Sequence, residues 1–193
     1  MDIDDIAIER IAVEDLRADK SGVLIDQIAC LAYRAFREPP WNDDLEKPRL
    51  HFGLGVDLMR RNAVALIAKA RDSSEFAGYT LGFEVFQENE DPRELTLRAI
   101  SGTTELDYLF QEGKRVFYAD TVCVNPEARR RQIAYGLAAA LISVLRSKGF
   151  TYQIARTASS ATAIRALFAK LGFEELPVHD AVFPERTYWL LRV

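Results

Sequence analysis

Three arginines stand side by side in VNPEARRRQIAYGLAAALISVLRSKGF, the stretch from Val124 to Phe150. A short strand pattern runs into Pro126. Arg129, Arg130 and Arg131 follow, and a long apolar helix pattern begins at once. Like charges this close repel one another unless an anion neutralises them. A helix start carries unpaired backbone N–H groups and about half a positive charge. A turn ahead of it can aim several more N–H groups at one spot, which makes an anion site. Arginine forks match phosphate oxygens. The stretch therefore has the chemistry of a pyrophosphate holder. It also has the composition of a solvated face, the usual fate of a charge run.

Other reactive side chains narrow the field. Cys30 and Cys123 fall in runs that read as helix and strand cores, so both are expected to be buried, reduced thiols. His51 and His179 lie far apart without cysteines at ligand spacing, so no metal site is expected. A net charge of −4 argues against a nucleic-acid binder, whose domains carry a strong basic excess. The opening MDIDDIAIER is acidic and lacks a basic n-region, so no signal peptide is expected. No apolar run approaches the roughly 18–20 residues of a membrane span, and a cytoplasmic location without membrane contact follows as an expectation. A length of 193 residues suits one domain, residues 1–193.

The elements that must position these residues follow from periodicity. IAIERIAV (Ile6 to Val13) alternates as a strand, and VLIDQIACLAYRAF carries an apolar helical face ended by EPPWND. Arg49 to Asn62 is weakly helical, and AVALIAKA and AGYTLGFEVF form a hairpin. About thirty residues rich in charge separate Phe86 from Phe117, with LTLRAI and TELDYLF reading as helical. FYADTVCV is a strand, and Arg131 to Lys148 a helix stopped by Gly149. YQIARTA is a strand, SSATAIRALFAKLGF a serine-capped helix stopped by Gly172, and FEELPV and TYWLLRV are two last strands. Helices and strands interleave, which predicts a layered α/β or α+β domain with a mixed sheet.

DTVCVNPEARRRQIAYGLAAAL resembles the coenzyme-A-binding motif of the GCN5-related N-acetyltransferase (GNAT) family, a strand ending in V-x-P followed by Q/R-x-x-G-x-G/A opening a helix. Val124, Asn125 and Pro126 fit the strand end, Arg129 the first loop position and Ala134 the last. Gln132 stands where glycine is usual. Downstream, AIRALFAKLGF resembles the family's helix ending near tyrosine and G-F. Gly172 and Phe173 fit, and Phe168 occupies the place where the tyrosine commonly sits. The resemblance implies a mixed, mostly antiparallel sheet of about six to seven strands with about four helices, splayed at the strand ending Val124. It implies acetyl-CoA as cosubstrate and acetyl transfer to a primary amine of a small molecule or protein.

It also implies site residues. Val122, Cys123 and Val124 border the pantetheine arm, with the Val124 N–H as oxyanion donor. The N–H groups of Arg130, Arg131, Gln132, Ile133 and Ala134 hold the pyrophosphate, with Arg129 adding charge, and Tyr135, Ser160 and Phe168 line the cofactor. Asp120 shares a strand face with Val124 and is the candidate base, expected in a partly desolvated cleft. Its other reading is a carboxylate paired with a basic neighbour. Phenylalanine at 168 cannot protonate the leaving thiolate, which leaves Tyr135, Ser160 or water. Tyr33, Phe36, Trp41, Tyr79, Phe83 and Glu84 are read as substrate pocket or as core. Asp43, Asp44, Glu46, Glu88, Glu90, Asp91 and Glu94 would favour a cationic acceptor if they surround the mouth. Gln132 and Phe168 keep open a second reading, a weak or inactive coenzyme-A-holding regulatory module of the same fold. A domain that binds nucleic acid through the arginines is the third. A monomer or homodimer is expected.

Overall fold

The computed structural model describes residues 6–11, 18, 22–39, 46–70, 75–86, 108–179 and 183–193. Its elements are β1 (Ile6–Ile11), α1 (Val23–Phe36), α2 (Lys47–Leu58), β2 (Val64–Ala70), β3 (Phe76–Val85), β4 (Val116–Val124), α3 (Ile133–Ser147), β5 (Tyr152–Ala158), α4 (Thr162–Lys170), β6 (Glu174–His179) and β7 (Arg186–Arg192). The seven strands form one sheet in the order β1-β2-β3-β4-β5-β7-β6. β1 pairs with β2, β2 with β3, β5 with β7 and β6 with β7, all antiparallel. β4 and β5 are parallel. The mixed, mostly antiparallel sheet and the four described helices agree with the architecture expected from the motifs.

Two compact units divide the chain: Met1–Phe83 with Asp120–Leu141, and Glu84–Ala119 with Ile142–Val193. In the first, Asn125 N–H donates to Ala77 O at 2.9 Å and Thr80 Oγ1 donates to Thr121 O at 2.8 Å, which sets β3 and β4 antiparallel. α3 begins here, with Ile133, Leu137 and Leu141 buried on one stripe. Two glycines let it approach the strands. A Cβ on Gly78 would lie 2.8 Å from Cys123 O and 3.1 Å from both Ile133 Cγ2 and Leu137 Cδ1. One on Gly136 would lie 2.7 Å from Ile8 Cδ1. A side chain at Gly78 would run into the Cys123 carbonyl and push the helix start off its seat, whereas one at Gly136 would need only the tip of Ile8 to turn aside.

In the second unit, the parallel ladder pairs Val116–Ala119 with Tyr152–Ala155 and ends there, although β4 continues to Val124 and β5 to Ala158. Both helix stops read from the sequence are Schellman turns. Gly149 and Gly172 take φ of 71° and 85°, and Phe150 and Phe173 donate N–H groups back to Leu145 O and Phe168 O. Phe168 and Phe173 then meet across the second turn with ring centroids 5.0 Å apart.

Three boundaries differ from expectation. α3 starts at Ile133 rather than Arg131, because Gln132 takes a left-handed φ of 56° that no α-helix residue can hold. The cap of α4 is Ala161, with no side-chain cap bond, so the serines do not cap it. LTLRAI lies outside the described residues. Of TELDYLF only residues 108–110 are described, and they form a single 3₁₀ turn.

Candidate functional site

Alternation along β4 sorts its backbone groups. In an antiparallel pair a residue aims its N–H and C=O to the same side, and the side changes with every step. Asn125 bonds to Ala77 of β3, so Cys123 and Thr121 also turn their backbone toward β3. Val122 and Val124 turn theirs to the opposite edge. Cys123 therefore separates from the other two residues of its predicted set. Its thiol is buried against Leu31 O at 3.9 Å, and burial pushes its pKa up to about 12. At pH 8 only about one Cys123 in 10⁴ would be thiolate. Native protein labelled with iodoacetamide at pH 8 should therefore leave Cys123 unmodified, and denaturant should expose it. Mass-spectrometric peptide mapping checks this.

Beyond Val124 the chain winds through one 3₁₀ turn, Pro126–Ala128. Asn125 organises it: its Oδ1 accepts from Glu127 N at 3.3 Å and its backbone oxygen from Ala128 N at 2.8 Å. Arg129 N–H returns to Pro126 O at 3.4 Å, and Arg129 itself is extended. Then Arg130 and Gln132 both take left-handed conformations, φ 65° and 56°, on either side of Arg131. Each costs about 1 kcal/mol or more for a residue with a Cβ. Left-handed residues in such a turn aim successive N–H groups into one concavity, a nest for an anion. The first N–H to reach a helical acceptor is that of Gly136, bound to Gln132 O at 2.9 Å. Among the described residues, the N–H groups of Arg130, Arg131, Gln132, Ile133 and Ala134 have no acceptor. Five amides are thus open at one turn, and a diphosphate fits that donor set.

The three arginines divide. Arg129 is not directed to the turn: its Nη1 lies 2.5 Å from Glu38 Oε2 and its Nη2 donates to Ala35 O at 3.5 Å. Arg130 and Arg131 make no ion pair or hydrogen bond among the described residues. Of the three, Arg130 and Arg131 are therefore the cations open to an anion among the described residues.

The remaining predicted residues scatter. Asp120 is exposed, and its Oδ2 accepts from Thr121 Oγ1 at 2.8 Å, so the partial burial expected of a base is absent. Tyr135 is half-buried in the first turn of α3. Ser160 is exposed ahead of α4, its carbonyl accepting from Thr162 N at 2.9 Å. Phe168 is a core residue, 7% exposed, packed between Phe173 and Trp189 in the cluster with Ile142, Ala155 and Leu191. Packing and helix termination account for its place.

Of the substrate set, Tyr79 is buried, and burial holds its phenol well above the ordinary value, so it stays neutral. Phe83 is buried beneath the Arg60 guanidinium, 4.3 Å from its ring centroid. Glu84 is buried in a two-point pair with Arg115, at 2.7 and 3.0 Å. All three side chains are packed in the core. Tyr33 is half-buried beside Arg37, 5.0 Å from its ring centroid, and Phe36 is half-buried. Trp41, Asp43, Asp44, Glu88, Glu90, Asp91 and Glu94 lie outside the described residues.

With this geometry in place, comparison with known proteins decides the family. The profile of the Acetyltransferase (GNAT) family matches residues 25–173. The chain belongs to the GNAT family. No curated relative matches it at a significant level. This GNAT chain is similar in fold to the PaiA N-acetyltransferase from Thermoplasma acidophilum in complex with coenzyme A, at TM-score 0.64 and 11% identity, covering 97% of this chain and 99% of that one. It is similar to the ribosomal-protein-S18-alanine N-acetyltransferase from Escherichia coli, at TM-score 0.61 and 12% identity, with 97% and 94% covered. It is also similar to NAA60 from Arabidopsis thaliana in complex with acetyl-CoA, at TM-score 0.62 and 14% identity, with 97% and 98% covered. In GNAT terms, Gln132 keeps the left-handed backbone that the usual glycine would supply without strain. Among the described residues, no helix is long and apolar enough to cross a membrane.

Glu38 and the Ala35 carbonyl were missed by sequence reading. A signal was present: Pro39 and Pro40 lack the N–H groups that Ala35 and Phe36 carbonyls would receive from position i+4.

Proposed function

We propose that this chain transfers the acetyl group of acetyl-CoA to a primary amine of a small molecule or protein, by direct attack of the neutral nitrogen. One observation carries the reading. Five consecutive amides from Arg130 to Ala134, open among the described residues, lie at a helix start, with the Arg130 and Arg131 guanidinium groups making no ion pair or hydrogen bond among those residues. They would hold the diphosphate. When bound, acetyl-CoA supplies an activated thioester. Val122 and Val124 offer backbone groups at the edge beyond the end of the β4–β5 ladder, which suits the pantetheine amides. The Val124 N–H is the donor for charge building on the carbonyl oxygen. Asp120 shares the Val122 and Val124 face of β4 and takes the amine proton, through water because it is exposed.

A carboxylate in this role must be ionised to accept the amine proton. Asp120→Asn should lower turnover about 100-fold, the low end of the range for general-base loss, and flatten the acid limb of the pH profile. An untouched profile would move the base elsewhere. The reaction itself is tested by incubating the protein and acetyl-CoA with a panel of primary amines and following thiol release. Amine-dependent release is expected. Tight coenzyme A binding with no release from any amine would favour the regulatory-module reading instead.

A further inference from the structure

Arg129 is, we propose, a positioning residue that fastens the phosphate turn to the C-terminal end of α1, not a ligand of the phosphates. The inference rests on the reading of residues 130–134 as that turn. Three observations on the first unit support it. α1 ends at Phe36 with Arg37 as its cap, and Pro39 has no N–H to return to the Ala35 carbonyl. Arg129 reaches this end: Nη2 donates to Ala35 O at 3.5 Å, and the cation meets the negative pole of the helix. Glu38, one residue past the cap, holds the other fork nitrogen at 2.5 Å. The guanidinium is thus held from two sides of the same helix end.

Arg129 is also the last extended residue before the two left-handed ones. Pinning its side chain fixes where the backbone enters the nest. Strained φ values persist only where neighbouring structure determines them, and Arg130 and Gln132 have no side-chain partner of their own among the described residues to do so. A turn pre-set in this way binds an anion without first paying to order itself.

The test uses the sign of a single substitution. Glu38→Gln removes half of the clamp but leaves Arg129 in place. A positioning role predicts weaker coenzyme A binding, about three- to tenfold by calorimetry, in the same direction as Arg129→Ala. The double variant should be no worse than Arg129→Ala alone. Affinity for pantetheine, which lacks the diphosphate, should stay unchanged for all three. A direct phosphate role predicts the reverse: Glu38→Gln liberates the arginine, and binding tightens or holds. That result overturns the proposal. Amide resonances of Arg130 to Ala134 in the ligand-free protein give a second readout, independent of any cofactor. They should move in both single variants, and resonances unmoved by Glu38→Gln would also overturn it. Should the parent protein bind no coenzyme A, the functional reading fails, while the resonance shifts still decide the role of Arg129.

Discussion

Coenzyme A affinity should fall by about a hundredfold or more when Arg130 and Arg131 are both replaced by glutamate. These are the two arginines of the run with no partner among the described residues, and they belong to the turn whose amides are open. A hydrogen bond to a charged group contributes on the order of a tenfold factor in affinity. Each substitution removes such a bond and adds repulsion against a diphosphate. The loss should shrink with added salt, because both side chains are solvent-accessible and screened. Isothermal titration at two ionic strengths separates this from misfolding, provided the melting temperature is unchanged. Affinity within threefold of the parent would remove the diphosphate from this turn.

The largest expected stability effect lies in the second unit. Arg115→Ala should cost about 3 kcal/mol. Glu84 is 5% exposed, and Arg115 grips both of its oxygens, at 2.7 and 3.0 Å. The same guanidinium donates to Lys148 O at 2.5 Å, beside the C-terminal stop of α3, and lies 4.1 Å from the Phe150 ring centroid. Removing one member of a buried pair costs about 3–5 kcal/mol, since it strands the other charge. The Arg115 side chain is 35% exposed, so water can reach the gap and the lower figure applies. For a chain of this length that is roughly 6–12 °C in Tm. Replacing both partners, Glu84→Leu with Arg115→Met, should recover most of the loss, because no buried carboxylate then remains. If Arg115→Ala melts with the parent, Glu84 is not held as described and returns as a candidate for the substrate pocket.

These cases mark where the sequence was legible. Element order was readable because each segment kept one period. α1 carries Ile28, Leu31, Ala32 and Ala35 buried at helical spacing, and the Gly149 and Gly172 stops showed as glycine after an apolar stripe. The nest was readable only in part. Pro126, the arginines and the apolar helix announced an anion site. That Gln132 adopts a glycine-like φ could not be read from a residue that rarely does so. Which arginine is committed depends on Glu38, 91 positions away, and no local pattern encodes such a partner. Glu84 illustrates the same limit. A glutamate in a strand looks like a pocket acid until Arg115, one residue ahead of β4, is seen to hold it. Phe168 was legible as packing through its place three residues before the helix cap. The resemblance pulled it toward the cofactor, whereas the Schellman contact with Phe173 explains it without one.

The central claim is that five main-chain amides after Arg129 hold a diphosphate. Amide-resolved nuclear magnetic resonance during titration with coenzyme A tests it most directly. Large, saturable downfield shifts of the Arg130, Arg131, Gln132, Ile133 and Ala134 N–H signals are expected, reproduced by inorganic pyrophosphate at higher concentration and absent with pantetheine. Coenzyme A binding that leaves those five signals in place would contradict it.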